Sequence, residues 1–167
     1  MKMNKTLIVY ASRHGTTAAY AKKLLQMLHG NVDLCFLNER ENSLPDLSVY
    51  DTFVIGGSIH YGKINKSVTR FTKDNFELLK NKRLGLYVTC YYEDEKAQEQ
   101  LNNAYPKELL DKALVTDYFD GELLFPKMNV WEKFIAKMVL KSDEIRPRIS
   151  KQKITDFANK LNNEHEK

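Results

Sequence analysis

Between Lys5 and Ala11 the chain reads KTLIVYA, a short unbroken apolar run rich in β-branched and aromatic residues. A strand of this kind has no polar face to offer water, so both its faces must be covered. The arrangement that does this is a parallel sheet between layers of helices. The next segment agrees with it. From Thr16 to His29 the apolar residues Ala18, Ala21, Leu24, Leu25 and Leu28 recur at helical spacing, with Lys22, Lys23 and Gln26 on the opposite side. A buried strand therefore feeds an amphipathic helix that ends near Gly30.

The same alternation continues along the chain. Strands are expected at Val32 to Leu37, Tyr50 to Gly56, Arg83 to Thr89 and Ala113 to Phe119. Helices are expected at about Lys66 to Leu79, at about Asp94 to Asn103 with a resumption after Pro106, and at about Lys151 to Leu161. Five strands joined by helical crossovers make an α/β sandwich of three layers, with right-handed connections. With 167 residues and 43% hydrophobic content, the chain suits a single domain over 1–167. Two features break the pattern. No clear helix joins the second strand to the third, and Gly121 to Ser150 lies between the last strand and the last helix. The latter reads as an insertion over about 121–150, near the strand ends where open α/β sheets bind ligands.

Charge is informative by position. Lys127 to Lys153 holds eight lysines and arginines against Glu132, Asp143 and Glu144, whereas the rest of the chain is close to neutral. A basic excess confined to one segment suggests a docking surface and argues against coating of nucleic acid. Lysines interrupt every apolar region, so no stretch reaches the roughly 18 apolar residues of a membrane span. The start of the chain lacks the hydrophobic core of a secretory signal, and a cytoplasmic protein is expected. Cys35 and Cys90 have no CxxC spacing and read as inert reduced thiols, and the four histidines show no metal-site spacing, so no metal is expected.

The most specific motif is Ser12-Arg13-His14-Gly15-Thr16-Thr17, between the first strand and the first helix. Backbone N–H groups of such a turn and the positive end of the helix attract an anion, hydroxyls of Ser12, Thr16 and Thr17 can donate to it, and Gly15 allows close backbone approach. The lysine of a triphosphate-gripping loop and the GxGxxG of a dinucleotide fold are both missing, which leaves a monophosphate. An ordinary hydroxyl-rich helix cap is the plainer alternative. A second constellation, Gly56-Gly57-Ser58-Ile59-His60-Tyr61-Gly62, follows the third expected strand directly, with a plain glycine-rich turn as its alternative reading, and a third, Thr89-Cys90-Tyr91-Tyr92, follows the next. In a parallel sheet both ends adjoin the phosphate loop. Either tyrosine of the third group is placed to stack on a ligand ring or to stand exposed at a loop tip. The acids Glu93-Asp94-Glu95 favour a helix start.

These residues resemble the flavodoxin family. Tyr10, Ser12, Gly15, Thr17, Ala21 and Leu24 fall in register with its phosphate-loop signature. The resemblance implies a flavodoxin-like three-layer sandwich with strand order 2-1-3-4-5, and FMN as cofactor. Its phosphate would be held by Ser12 to Thr17, and its ring lined by Ser58, Ile59, His60, Tyr61 and Gly62 and by Thr89, Cys90, Tyr91 and Tyr92.

The whole chain is similar to the flavodoxin-type, menaquinone-dependent protoporphyrinogen IX dehydrogenases of bacterial haem synthesis. That similarity rests on the phosphate loop, on Ile55 to Gly62, and on the insertion with Trp131, Lys133-Phe134 and Lys137-Met138. It implies oxidation of a porphyrinogen with electrons passed to a quinone. No catalytic acid or base is nominated, while Arg13 and Lys63 are candidates either to meet substrate propionates or simply to face solvent. Position 60 is His where a member of that family carries Arg, and the loop after Thr89 is shorter and acidic where that member's is longer and basic. An acidic rim suits a basic redox partner protein, so a flavodoxin-type electron carrier without its own substrate is the alternative. A receiver domain on the same topology is excluded, because the strands ending at Tyr10-Ala11 and Ile55-Gly56-Gly57 lack its carboxylates.

Within the insertion, Trp131, Phe134, Ile135, Met138 and Val139 form one helical stripe, and Lys133, Lys137 and Lys141 form another. Such a helix suits peripheral contact with an anionic membrane, and it serves equally as a lid or a core-capping element.

Overall fold

β1 (Lys5–Ala11) pairs in parallel with β2 (Asn31–Phe36) on one side and β3 (Thr52–His60) on the other. The computed structural model describes residues 4–37, 43–121 and 151–163. Beyond β3 the sheet continues through β5 (Arg83–Cys90) to β6 (Val115–Asp120), all parallel, giving the order β2-β1-β3-β5-β6. Leaving aside the two-residue β4 (Lys63–Ile64), which pairs antiparallel with the end of β3, this is the order 2-1-3-4-5 expected from sequence. The helices are α1 (Thr16–Met27), α2 (Lys66–Asp74), α3 (Phe76–Leu79), α4 (Asp94–Ala104), α5 (Lys107–Lys112) and α6 (Lys151–Asn163).

Strand alternation sorts the core into two layers. Leu7, Val9, Phe53, Ile55, Leu84, Leu86 and Val88 face one way and pack with Val68, Phe71, Leu79, Ala97, Leu101 and Leu109 of α2 to α5. Ile8, Val54, Tyr87, Val115 and Phe119 face the other way, onto Tyr20, Ala21 and Leu24 of α1 and Ile154, Phe157, Ala158 and Leu161 of α6. Both faces of β1 and β3 are thus covered, which is why KTLIVYA has no alternation of polar residues. The hydroxyl of Tyr105, just after α4, lies 2.9 Å from the Ile55 carbonyl oxygen and 2.7 Å from that of Tyr87, and donates to them from within the core.

The structure differs from the sequence expectation at three joints. β3 does not stop at Gly56 but runs on to His60, because Gly56 serves close packing and not a turn. A Cβ built at Gly56 would fall 2.0 Å from Cζ of Tyr87, whose buried ring lies over the glycine from β5. The turn is confined to Tyr61 and Gly62, both at positive φ (50° and 74°), as a two-residue hairpin into β4 requires. The helix expected over Lys66 to Leu79 is broken at Asn75, whose side-chain amide donates to the Phe71 carbonyl at 2.9 Å. The strand expected at Ala113 to Phe119 forms instead over Val115–Asp120. The basic stripe around Trp131 lies outside the described residues, as does most of the insertion. No helix among the described residues is long and apolar enough to cross a membrane.

Gly56→Ala is expected to lower stability by about 1–3 kcal/mol, since Tyr87 has no room to withdraw between Phe119 and Phe157. Urea unfolding of Gly56→Ala, Tyr87→Leu and the double variant checks this: the double variant should cost less than the sum of the singles.

Candidate functional site

The turn from β1 into α1 is built by two residues. Gly15 takes φ 97° and ψ −10°, a left-handed conformation that costs about 1–2 kcal/mol for a residue with a Cβ. Its N–H donates to Ser12 Oγ at 3.0 Å, and its carbonyl accepts the first helical bond from Ala19 N–H at 2.9 Å. Gly15 itself occupies the cap position, so no side chain caps α1, and no acid sits in its first turn. The positive end of the helix therefore lies at the turn without a side-chain cap from the cap residue.

Thr17, fully buried, places Oγ1 2.7 Å from Oγ1 of Thr89 at the end of β5. This hydroxyl pair ties the helix start to the neighbouring strand end, and Tyr87 adds a second tie by donating its hydroxyl to the Thr17 carbonyl at 3.3 Å. The β3 end closes the other side. Ser58 presents a buried Oγ that has no hydrogen-bond partner among the described residues, while its carbonyl accepts from Asn65 N–H at 3.0 Å. His60, two residues on, meets His14 of the turn with Nε2 atoms 3.3 Å apart.

Ser12, His14, Thr16, Thr17, Ser58, Ile59, His60, Thr89, Tyr91 and Gly121 line one hollow. A larger open groove leads away from it past Arg13, Phe36, Tyr61, Gly62, Lys63, Arg70 and Lys73. A buried hydroxyl without a partner is costly, and Ser58 Oγ belongs to a residue that lines the same hollow as the start of α1.

A family model for the flavodoxin domain matches residues 7–149. The chain belongs to the flavodoxin family. A protein of Escherichia coli K12 named protoporphyrinogen IX dehydrogenase [quinone] is 28% identical over 145 residues, covering 82% of this chain and 79% of that one. Among solved structures, a flavodoxin, WrbA-like protein from Agrobacterium tumefaciens aligns with a TM-score of 0.55 at 14% identity over 98% of each chain. A flavoprotein in complex with FMN from Lactobacillus acidophilus aligns with a TM-score of 0.52 at 17% identity, over 69% of this chain and 93% of that one. At such identities these structures establish the shared flavodoxin fold.

Within this flavodoxin domain the three motifs read from sequence do meet at one end of the sheet, but not every residue in them faces the hollow. Tyr91 lines it. Tyr92 instead packs against the core, with Lys96 Nζ 5.2 Å from its ring. Cys90 packs in the apolar layer, donates to the Tyr92 carbonyl at 3.5 Å, and is absent from the lining of the hollow. Burial pushes its thiol up to about 12, and burial raises that of Cys35 too. Tyr61 stands 67% exposed beside the groove.

Two contributors were not singled out from sequence. Gly121 abuts Tyr91 closely enough that an added Cβ would come within 3.0 Å of the ring. Asn65 caps α2 through Oδ1 to Ser67 N–H at 2.9 Å and so fixes the hairpin against Ser58. The Asn65 cap was legible as an Asn before a helical stretch, whereas Gly121 carries no local signal.

Both thiols should resist alkylation in the folded protein at mildly alkaline pH and react together on unfolding, since the reactive species is the thiolate. Mass spectrometry after iodoacetamide treatment, with and without denaturant, measures this.

Proposed function

We propose that the hollow holds FMN and that the protein is an FMN-dependent oxidoreductase of the protoporphyrinogen IX dehydrogenase type, with a quinone as electron acceptor. The observation that carries the cofactor reading is the partnerless buried hydroxyl of Ser58 across from the uncapped start of α1. A phosphate-bearing ligand satisfies both. On this reading Ser12, Arg13, His14, Gly15, Thr16 and Thr17 hold the phosphate, Ser58 and His60 meet it from the β3 side, and Ile59, Tyr61 and Gly62, with Thr89, Cys90, Tyr91 and Tyr92, border the ring. Within these groups Tyr91 and Tyr61 are the aromatic faces open to it, while Cys90 and Tyr92 contribute backbone and support.

FMN, when bound, supplies the electron-transfer chemistry, and the chain's own residues bind and orient it. The substrate reading draws on the Escherichia coli relative and on the groove. Phe36 is 53% exposed there beside Tyr61, with Arg13, Lys63, Arg70 and Lys73 along the rim. Apolar surface edged by cations suits a flat, apolar molecule bearing carboxylates. The basic segment around Trp131, outside the described residues, is the part of the proposal that would meet a membrane and its quinone.

A second reading, an electron carrier without a substrate of its own, is favoured by one observation. Asp94 and Glu95 stand exposed at the start of α4, just beyond Tyr91, where a cationic partner protein would dock.

Purified protein should show flavin absorbance, or acquire it on addition of FMN. Ser58→Ala should weaken FMN binding by roughly tenfold, as loss of one hydrogen bond to a charged group implies. Flavin-loaded protein should oxidise protoporphyrinogen IX with a menaquinone analogue. A protein that stays colourless contradicts the cofactor reading, and a loaded protein without turnover leaves the electron carrier as the function.

A further inference from the structure

His14 and His60 come from different elements, the turn after β1 and the last residue of β3. Their Nε2 atoms lie 3.3 Å apart, and their rings cross edge to face with centroids 5.4 Å apart. His14 is 9% exposed and His60 is half-buried. An imidazole contact through two ring nitrogens works when one nitrogen donates and the other accepts. If both rings were protonated, two N–H donors and two positive charges would face each other in a partly desolvated setting, which disfavours the second proton.

The surroundings act in the same direction. Arg13 belongs to the same turn, Tyr61 places its ring 5.5 Å from that of His60, Lys63 is the register partner of His60 in the hairpin, and Tyr91 lies across the hollow. Further along the groove come Lys66, Arg70 and Lys73, with Asp74 as the acid among its described lining residues. Among the described residues lining the groove cations outnumber anions, which disfavours a second proton on the ligand-free pair. An anion in the hollow reverses both terms, because it offers acceptors to both N–H groups and negative charge to offset theirs.

We propose that His14 and His60 form a proton-linked positioning pair for the anionic ligand of this site. Anion binding breaks the contact between the imidazoles and draws one further proton onto the pair, after which each ring donates a hydrogen bond toward the ligand. This rests on the phosphate reading of the hollow for the identity of the ligand, whereas the coupled titration of the two rings belongs to the ligand-free protein. Both are positioning residues, and nothing in the role requires that either react with substrate.

NMR of the histidine rings, followed from about pH 5 to about pH 9 around the ordinary imidazole value of about 6.5, tests the pair directly. In ligand-free protein, His14 and His60 should titrate in two separated steps shared between them. In His60→Gln, His14 should return to a single step.

FMN affinity, read by flavin fluorescence, should strengthen on acidification by up to about tenfold per pH unit relative to His60→Gln, the limit for one proton taken up. Riboflavin, which lacks the phosphate, should show no such difference. Independent single-step titration of both rings overturns the proposal, and so does an FMN pH dependence identical in the wild type and His60→Gln. If FMN does not bind at all, the phosphate reading fails by itself. Inorganic phosphate then decides: proton uptake on its binding supports the pair, and its absence overturns the pair.

Discussion

Because the backbone at Gly15 turns through the left-handed region, the chain leaves β1 and enters α1 with a residue at the cap position that has no side chain to cap the helix. The helix start is therefore bare of a cap, and its N–H groups and positive end face the C-terminal edge of the sheet. Everything else at that edge is placed relative to this turn. Thr17 binds it to Thr89, Tyr87 binds it from beneath, and β3 brings Ser58 and His60 up to its other side. A side chain at position 15 would strain the turn, shift the first helical bond and move the donor set away from Ser58.

The sheet order and both helical layers were legible in the sequence, because an unbroken apolar run such as KTLIVYA and a helical stripe such as Ala21, Leu24 and Leu28 each state their burial outright. The turn between β1 and α1 was legible for the same local reason, since a strand, a hydroxyl-rich turn with glycine and a helix follow one another directly. What escaped was set by contacts between distant positions. Gly56 and Gly57 look like a turn, yet they are strand residues whose missing side chains make room for Tyr87 on one face and for Ile64 and Val68 on the other. Asn75 looks helical and interrupts the helix. Tyr91 and Tyr92 are indistinguishable as a dipeptide, and only the packing of β5 against α4 turns one into the hollow and the other onto the core.

The electrostatics divide the site into parts with separate tasks. Burial keeps Cys90 protonated and takes it out of the chemistry. The two histidines, one from each side of the hollow, carry the capacity to exchange a proton, while Arg13, Lys63, Arg70 and Lys73 spread positive charge along the groove that leads to it. A ligand with an anionic end and a flat apolar body satisfies all three regions at once. This is why the proposed flavin and a carboxylate-bearing substrate suit one continuous surface.

The central claim is that the turn at Gly15, together with Ser58, is the anion site of this flavodoxin domain. Amide NMR during titration with FMN tests it most directly. The N–H resonances of Gly15, Thr16, Thr17 and Ser58 should shift most with FMN, and riboflavin should move those of Gly15 to Thr17 far less. Shifts confined to the α2 side of the groove, with the Gly15 to Thr17 amides unmoved, would contradict it.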